Sequence, residues 1–281
     1  GAALDLIADE QATCAIAVPA KLSAMCETQA TEPRDLSSMR WLSHGASPVA
    51  LEVLRRADDL FKCELIHLYG ATELSPIAAI FRHEEQYLDS ERAKSCGQGP
   101  PGVEIRVVGP AGNAVPPGTA GEVAVRGPNV MAGYWNKPEQ TAEVLLDGGW
   151  YRSGDIGYLD EDGYLFLVDR AKDMIVSGGE NVYCTEVEDA LYTHPGVLEA
   201  TVFGVPDEQW GEAVQAAVVL RAGVQVDEAE LTAHCRERIA GYKVPKGFEF
   251  RSDALPKSGA GKVLKRVLRE PYWSGRERSI N

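Results

Sequence analysis

The sequence predicts an α/β protein, and three changes of texture along its 281 residues carry that prediction. Over residues 1–80, apolar strand-like runs alternate with helical patterns, which implies a largely parallel sheet. Residues 95–168 are rich in Gly and Pro with short apolar runs between turn clusters, the signature of a small antiparallel, barrel-like β unit. Residues 173–281 mix helices and strands as a compact α+β domain. The length suffices for two domains. The expected divisions are a large α/β part (1–94), its β subdomain (95–168) and a C-terminal α+β domain (173–281).

The first stretch opens with LDLIADEQ, whose apolar Leu4, Ile7 and Ala8 share a helix face. ATCAIAVP then reads as a buried strand ended by Pro19. KLSAMCETQ reads as helix and MRWLSHG as strand into loop. SPVALEVLRRADDLF reads as helix with Ser47 as N-cap and Pro48 at its first position. CELIHLYG is a strand into a second loop. Ligands of a parallel sheet gather at the carboxyl ends of its strands, where the loops HGASP (44–48) and YGATE (69–73) are expected.

In the second stretch VEIRVVG, GEVAVRG and GYLFLVD read as short strands. NKPEQTAEVLLDGG reads as one inserted helix ended by glycine. In the third, VEDALYTHPG and the amphipathic DEAELTAHCRERIAGY are helices, and EATVFGVPD and EAVQAAVVLRAG are strands. KVLKRVLREPYW is a basic helix expected to stop at Pro271.

Composition narrows the function classes. A hydrophobic fraction of 44% is ordinary for a globular chain. No apolar run approaches the ~18 residues of a membrane span, and GAALDLIADEQATC lacks the features of a secretory signal. The six cysteines show no C-x-x-C spacing and read as reduced thiols of a cytoplasmic protein. A net charge of −14 argues against general nucleic-acid binding. Residues 241–281 nevertheless carry ten Lys/Arg against four Asp/Glu, an end suited to an anionic ligand such as a phosphate.

Two glycine patterns fail as nucleotide motifs. GQGPPG (97–102) precedes the strand VEIRVV rather than a helix, and SGAGKV (258–263) has Pro256 and Val263 where a phosphate loop needs Gly and Ser/Thr. The informative motifs lie elsewhere. In YGATE, Thr72 and Glu73 can hold a phosphate oxygen and a hydrated magnesium, or can simply cap a helix. In YRSGD, Asp155 follows a glycine turn, and its acceptor-only carboxylate suits a ribose diol. DRAKD carries Arg170, whose fork suits a ribose or phosphate. SGGEN frees backbone for close approach. PKSGAGKVLKR places Lys262 between a flexible glycine loop and a basic helix, from which a lysine can meet developing phosphate charge, or can simply be a surface lysine.

The order YGATE, GEVAVRGPNVMAGYW, YRSGD, DRAKDMIVSGGENV, KSGAGKVLKR closely resembles the adenylate-forming superfamily of acyl-CoA synthetases, peptide-synthetase adenylation domains and luciferases. The resemblance spans essentially the whole chain. The stretch from GGENVYC to AVQAAVVL is most similar to fatty-acid-type CoA ligases. It implies a reaction in which ATP and a carboxylic acid give an acyl-adenylate, whose acyl group then passes to the thiol of CoA. It also implies residue roles. Gly45, Ala46, Ser47, Pro48 and Tyr69 would flank adenine, Thr72 would touch phosphate and Glu73 would hold Mg²⁺. Asp155 would take the ribose hydroxyls with Arg170 beside them, and Lys262 would bridge carboxylate and α-phosphate. Lys172, within a hinge at 169–172, would be the pivot of the C-terminal domain, and Gly179 would line the passage of the pantetheine arm.

In-line displacement at an α-phosphate asks mainly for positioning and charge neutralisation. A lysine that serves it cannot stay in place while a thiol enters from the same side, and a hinged domain resolves the conflict. The chain departs from the family pattern twice. Cys184 stands where the family has proline, and the Ser/Thr/Gly-rich phosphate loop that precedes YGATE in the family has no counterpart. The expectation is therefore the C-terminal half of a ligase, inactive in adenylation by itself, with residues 1–94 a remnant of the large domain. Its partners would be a carboxylic acid, ATP and CoA, with oligomers or peripheral membrane contact compatible and no nucleic acid. The rival readings are an amino-acid or aryl adenylation domain loading a carrier protein, and a non-catalytic binding module.

Overall fold

A computed structural model describes the chain apart from residues 47, 48, 50, 83–87, 89, 259–261 and 275–281. It divides into two units, Gly1–Leu167 and Val168–Asn281, described separately below.

In the first unit, α1 (Ala2–Asp9) buries Leu4 and Ile7, the face expected from their spacing. Strand β1 (Cys14–Ala17) follows, then α2 (Pro19–Thr31), β2 (Trp41–Gly45), α3 (Leu51–Phe61) and β3 (Glu64–Tyr69). Pro19 occupies the first turn of α2, where its missing N–H costs nothing. The Ser47 cap and Pro48 start expected for α3 lie outside the described residues. β1, β2 and β3 pair in parallel, and β4 (Ala79–Arg82) adds antiparallel to β3. Leu42 and Leu65 sit opposite each other on one sheet face and pack with Leu4, Leu22, Leu54 and Phe61 from the helices.

The remainder of this unit is a five-stranded sheet built from β5 (Glu104–Val108), β6 (Gly121–Arg126), β7 (Leu145–Leu146), β8 (Trp150–Leu159) and β9 (Leu165–Arg170). Its order is β5-β6-β8-β7 with β9 also on β8, and the registered pairs are antiparallel. Between β6 and β7, α4 (Pro138–Val144) is shorter than expected, because Leu145 and Leu146 pair with Tyr151 and Trp150 instead of extending the helix. YRSGD is not a turn. It lies inside the ten-residue β8, where the register slips between Glu122 and Ala124 and Gly154 adopts φ +72°. The slip is a β-bulge, which leaves a side chain free to leave the ladder. Tyr69, Leu74 and Ala79 of the parallel part share a core with Val123, Val125, Tyr151 and Leu165 of this sheet.

In the second unit, the hairpin β10 (Ile175–Ser177) and β11 (Glu180–Val182) closes through Gly178 and Gly179, at φ +61° and +86°. Positive φ at both central residues fits the turn whose twist matches the strands. Helix α5 (Cys184–Tyr192) leads to the long pair β12 (Val197–Asp207) and β13 (Gly211–Leu220), in antiparallel register from Val197↔Leu220 to Asp207↔Gly211. Then come α6 (Glu228–Arg236), β14 (Gly247–Arg251) parallel to β13, and α7 (Lys265–Trp273). Asp227 caps α6 by accepting the Glu230 N–H at 2.8 Å.

The β12–β13 pair is buried on both faces. Val202, Val214, Ala216 and Val218 face Val187, Leu191, Leu231 and Cys235, while Phe203, Ala217 and Val219 meet Leu255 and Leu268. Pro271 does not stop α7 but lies within it. The hydrogen bond it cannot donate would go to Val267, which is exposed, so solvent can satisfy that carbonyl.

The sheet faces give a direct stability test. Leu65 is fully buried and Leu6 is 62% exposed. Leu65→Ala should cost roughly 2–5 kcal/mol and Leu6→Ala at most about 0.5 kcal/mol, measured by urea unfolding. Comparable losses would contradict the assignment of the core face.

A second test uses pH. His44 is fully buried, with no hydrogen-bond partner for either ring nitrogen among the described residues, and it stacks on His67 at 4.9 Å. Burial, with the neighbouring His67 second, lowers its pKa to about 3. An unfolded histidine titrates near 6.5, so between these values only the unfolded chain binds the proton. Stability contributed by neutral His44 is complete above about pH 6.5 and is lost toward pH 3, by about 1.4 kcal/mol per pH unit at most. His44→Leu should flatten the dependence of the urea midpoint on pH across this window. An unchanged slope would show that His44 does not carry it.

Candidate active site

The first unit brings two of the sequence motifs together. β3 ends at Tyr69, and the β8 bulge holds Asp155. The Tyr69 hydroxyl donates to Asp155 Oδ2 at 2.7 Å across 86 residues of sequence. The bulge is braced from below. Ser153 Oγ donates to the Val123 carbonyl at 2.8 Å and accepts the Asp155 N–H at 3.1 Å, while Glu122 Oε1 accepts the Gly154 N–H at 3.2 Å. Burial and the facing Asp155 push the Tyr69 phenol well above its usual range, so it stays a neutral donor.

Past Tyr69 the chain makes one 3₁₀ turn, Thr72–Leu74, with no side-chain cap. The Thr-Glu pair is therefore not acting as a helix cap. Thr72 is exposed, and Glu73 is half-buried and accepts from the Tyr134 hydroxyl at 2.8 Å. The Glu73 carbonyl also accepts the Met131 N–H at 2.8 Å, which fastens the 127–134 segment to this turn. Burial and the Glu73 carboxylate raise the Tyr134 phenol, and burial followed by Glu73 raises that of Tyr151. Tyr134, Tyr151 and Ser153 thus join the site without having been singled out in the sequence. The first two could have been suspected from GYW and WYRSG, where a tyrosine recurs beside each polar motif.

Gly45 ends β2, paired with Leu68 one residue before Tyr69. A Cβ there would fall 2.1 Å from the Leu68 carbonyl oxygen, so only glycine lets β2 and β3 approach this closely. Ala46 follows at φ +72°, and Ser47 and Pro48 lie outside the described residues.

Glu73 suits Mg²⁺ that arrives with a nucleotide, since that ion takes one or two carboxylates plus phosphate oxygens and keeps several waters. A dedicated cage is not formed: no group of three His, Cys, Asp or Glu converges among the described residues. Asp155 offers a half-exposed carboxylate of the kind a ribose diol requires.

The other predicted residues belong to the second unit, Arg170 at the end of a strand and the rest in separate turns and loops. Arg170 ends β9, and Lys172 lies in the turn Ala171–Asp173, where the Arg170 carbonyl accepts the Asp173 and Met174 N–H groups at 2.9 and 3.0 Å. Gly179 completes the β10–β11 turn, and Lys262 is exposed at the end of the glycine loop. Cys184, the residue in place of the family's proline, opens α5 fully buried, and its thiol donates to the Asp173 carbonyl at 3.0 Å. The backbone is otherwise undisturbed at that position, since its N–H is accepted by Asp169 Oδ2. All six cysteines are free thiols. No helix among the described residues is long and apolar enough to cross a membrane.

Known proteins match this arrangement. The family model of AMP-binding enzymes matches residues 1–135, and that of the AMP-binding enzyme C-terminal domain matches residues 186–262. A feruloyl-CoA synthase of an Amycolatopsis species is 44% identical over 97% of this chain and 54% of its own length. A long-chain-fatty-acid–CoA ligase of Bacillus subtilis is 43% identical over 84% of this chain and 41% of its own length. The o-succinylbenzoate CoA synthetase of Bacillus subtilis, solved with ATP and magnesium, superposes with a TM-score of 0.83 at 34% identity, covering 95% of this chain and 53% of that one. The chain spans about half the length of the curated relatives it matches. With both family models matched in chain order and relatives of this kind 43–44% identical, the chain belongs to the adenylate-forming superfamily of AMP-binding enzymes.

Proposed function

We propose that the chain works as the C-terminal part of an acyl-CoA ligase of fatty-acid type, which activates a carboxylic acid with ATP and transfers the acyl group to CoA. The observation that carries this reading is the 2.7 Å bond between Tyr69 and Asp155, which joins the YGATE and YRSGD motifs in one place. Ribose hydroxyls donate to Asp155, while the neutral Tyr69 phenol fixes the orientation of its carboxylate and packs beside the base with Gly45 and Ala46. Thr72 meets a phosphate oxygen. Glu73, steadied by Tyr134, holds Mg²⁺, which supplies charge neutralisation at the phosphates when bound.

In the second unit Lys262 delivers its ammonium to the carboxylate and the α-phosphate as negative charge shifts onto the leaving pyrophosphate. Arg170 supports the ribose. The turn at Lys172 serves as the pivot that withdraws Lys262 after adenylation, and the tight Gly178–Gly179 turn then admits the narrow pantetheine arm.

The decisive experiment separates the half-reactions in the ligase that contains this chain. Lys262→Ala should lower ATP–pyrophosphate exchange by about 10²–10³-fold and leave thioester formation from supplied acyl-adenylate intact. Equal loss of both steps would refute the role. Asp155→Ala should weaken AMP binding by about 10–100-fold, the worth of hydrogen bonds to a charged acceptor, measured by calorimetry. Unaltered affinity would remove Asp155 from the nucleotide site.

A further inference from the structure

The loop that carries Lys262 is clamped at both stems. On its leading side, Lys257 Nζ pairs with Glu199 Oε1 of β12, and Glu199 Oε2 accepts the Leu255 N–H at 3.0 Å. On its trailing side, Lys265 Nζ meets Glu188 Oε1 of α5 at 2.9 Å, with both side chains under one-fifth exposed. The same Glu188 oxygen accepts the Thr201 hydroxyl at 2.9 Å and the Val202 N–H at 2.7 Å, so it is itself fastened to β12. Between the two lysines the stems close on each other. Lys257 bridges Val263, the Pro256 carbonyl accepts the Leu264 N–H at 2.8 Å, and the Lys262 carbonyl accepts the Ser258 N–H at 2.8 Å.

The Lys265–Glu188 pair is not an ordinary surface pair of the kind that contributes little and leaves its side chains mobile. Burial disfavours the Lys265 ammonium, yet the negative charges around it, Glu188 and Asp169 among them, outweigh that and raise its pKa. Asp169 itself stands at the start of the second unit and accepts the Arg170 and Cys184 N–H groups. The helix behind the loop has anchors that do not involve these charges: Leu268 lies in a core with Phe203 and Leu255, and the Trp273 indole N–H donates to the Gly204 carbonyl at 3.0 Å. α7 therefore does not need the ion pairs to stay on β12. What they hold are the two stems, Lys257–Ser258 and Lys262–Lys265, between which the loop runs.

We propose that Glu188 and Glu199 are positioning residues for Lys262: through Lys265 and Lys257 they hold both stems of its loop against β12, and so decide where its ammonium is delivered. This rests on the role of Lys262 proposed above. A glycine-rich loop without such stems lets its lysine sample many positions, and a misplacement of about 1 Å at a reacting centre costs on the order of 10²-fold in rate.

The test uses the ligase that contains this chain and the variants Lys265→Met, Lys265→Arg, Glu188→Gln and Lys257→Met. Lys265→Met and Glu188→Gln should each lower the kcat of ATP–pyrophosphate exchange by about 10–100-fold. KM for ATP and the rate of thioester formation from supplied acyl-adenylate should stay unchanged, and Lys265→Arg should recover most of the exchange rate. Should the buried variants fail to fold, the more exposed Lys257→Met must show a smaller loss confined to the same step. Unaltered exchange, equal loss of both half-reactions, or a loss that only follows the melting temperature would overturn the proposal. An unsubstituted ligase with no exchange activity would instead overturn the functional reading on which it rests.

Discussion

The hydrogen bond from Tyr69 to Asp155 is the constraint on which the first unit's site depends. It spans two sheets of different origin, one parallel and wound with helices, the other antiparallel. Neither sheet alone places a carboxylate beside the carboxyl end of β3. The bond needs β3 to deliver a phenol, which the tight Gly45–Leu68 approach permits, and needs the β8 bulge to turn Asp155 out of its ladder. A hydrogen bond to a charged acceptor contributes about 1.5–3 kcal/mol, and this one is supported by a shared core in which Tyr69 and Tyr151 are both buried. Orientation of the Asp155 carboxylate is thus secured by the bulged strand and by packing around its tyrosine partner.

The second unit solves a different problem. Its β12–β13 pair is covered on both faces, which makes it a close-packed base for the segments attached to it. The segments proposed to take part in chemistry are turns or loop tips at the ends of such strands and helices: the Ala171–Asp173 turn, the Gly178–Gly179 turn and the stem-clamped loop at Lys262. Charge follows the same plan. Glu199 and Glu188, the acidic side chains beside the stems of the Lys262 loop, are engaged in ion pairs to Lys257 and Lys265.

Legibility varied with the range of the interaction. The strand–helix alternation of residues 1–69 was readable because each element announces itself by local period and by a breaker such as Pro19. The motif order alone disclosed the superfamily. Local reading failed where strand pairing outbid the local preference. Leu145 and Leu146 continue a helical pattern but pair with β8, and YRSGD looks like a turn but is a bulge held by Glu122 and Val123. Pro271 looks like a stop but is tolerated near the end of a helix whose affected carbonyl faces solvent. Tyr134 and Tyr151 were at most suspected from their neighbouring motifs, since a tyrosine's role is not specified until its partner is known.

By itself the sequence determined the fold class, the family and the identity of the charged and glycine residues available for chemistry, because these follow from local periodicity and from the spacing of motifs. Only the tertiary structure decided which of them meet. The phenol on Asp155, the tyrosine on Glu73 and the two acidic anchors of the Lys262 loop join residues 86, 61, 58 and 77 positions apart. Such contacts arise from sheet register and shared cores, and a register is a property of two strands together that neither strand's own residues specify.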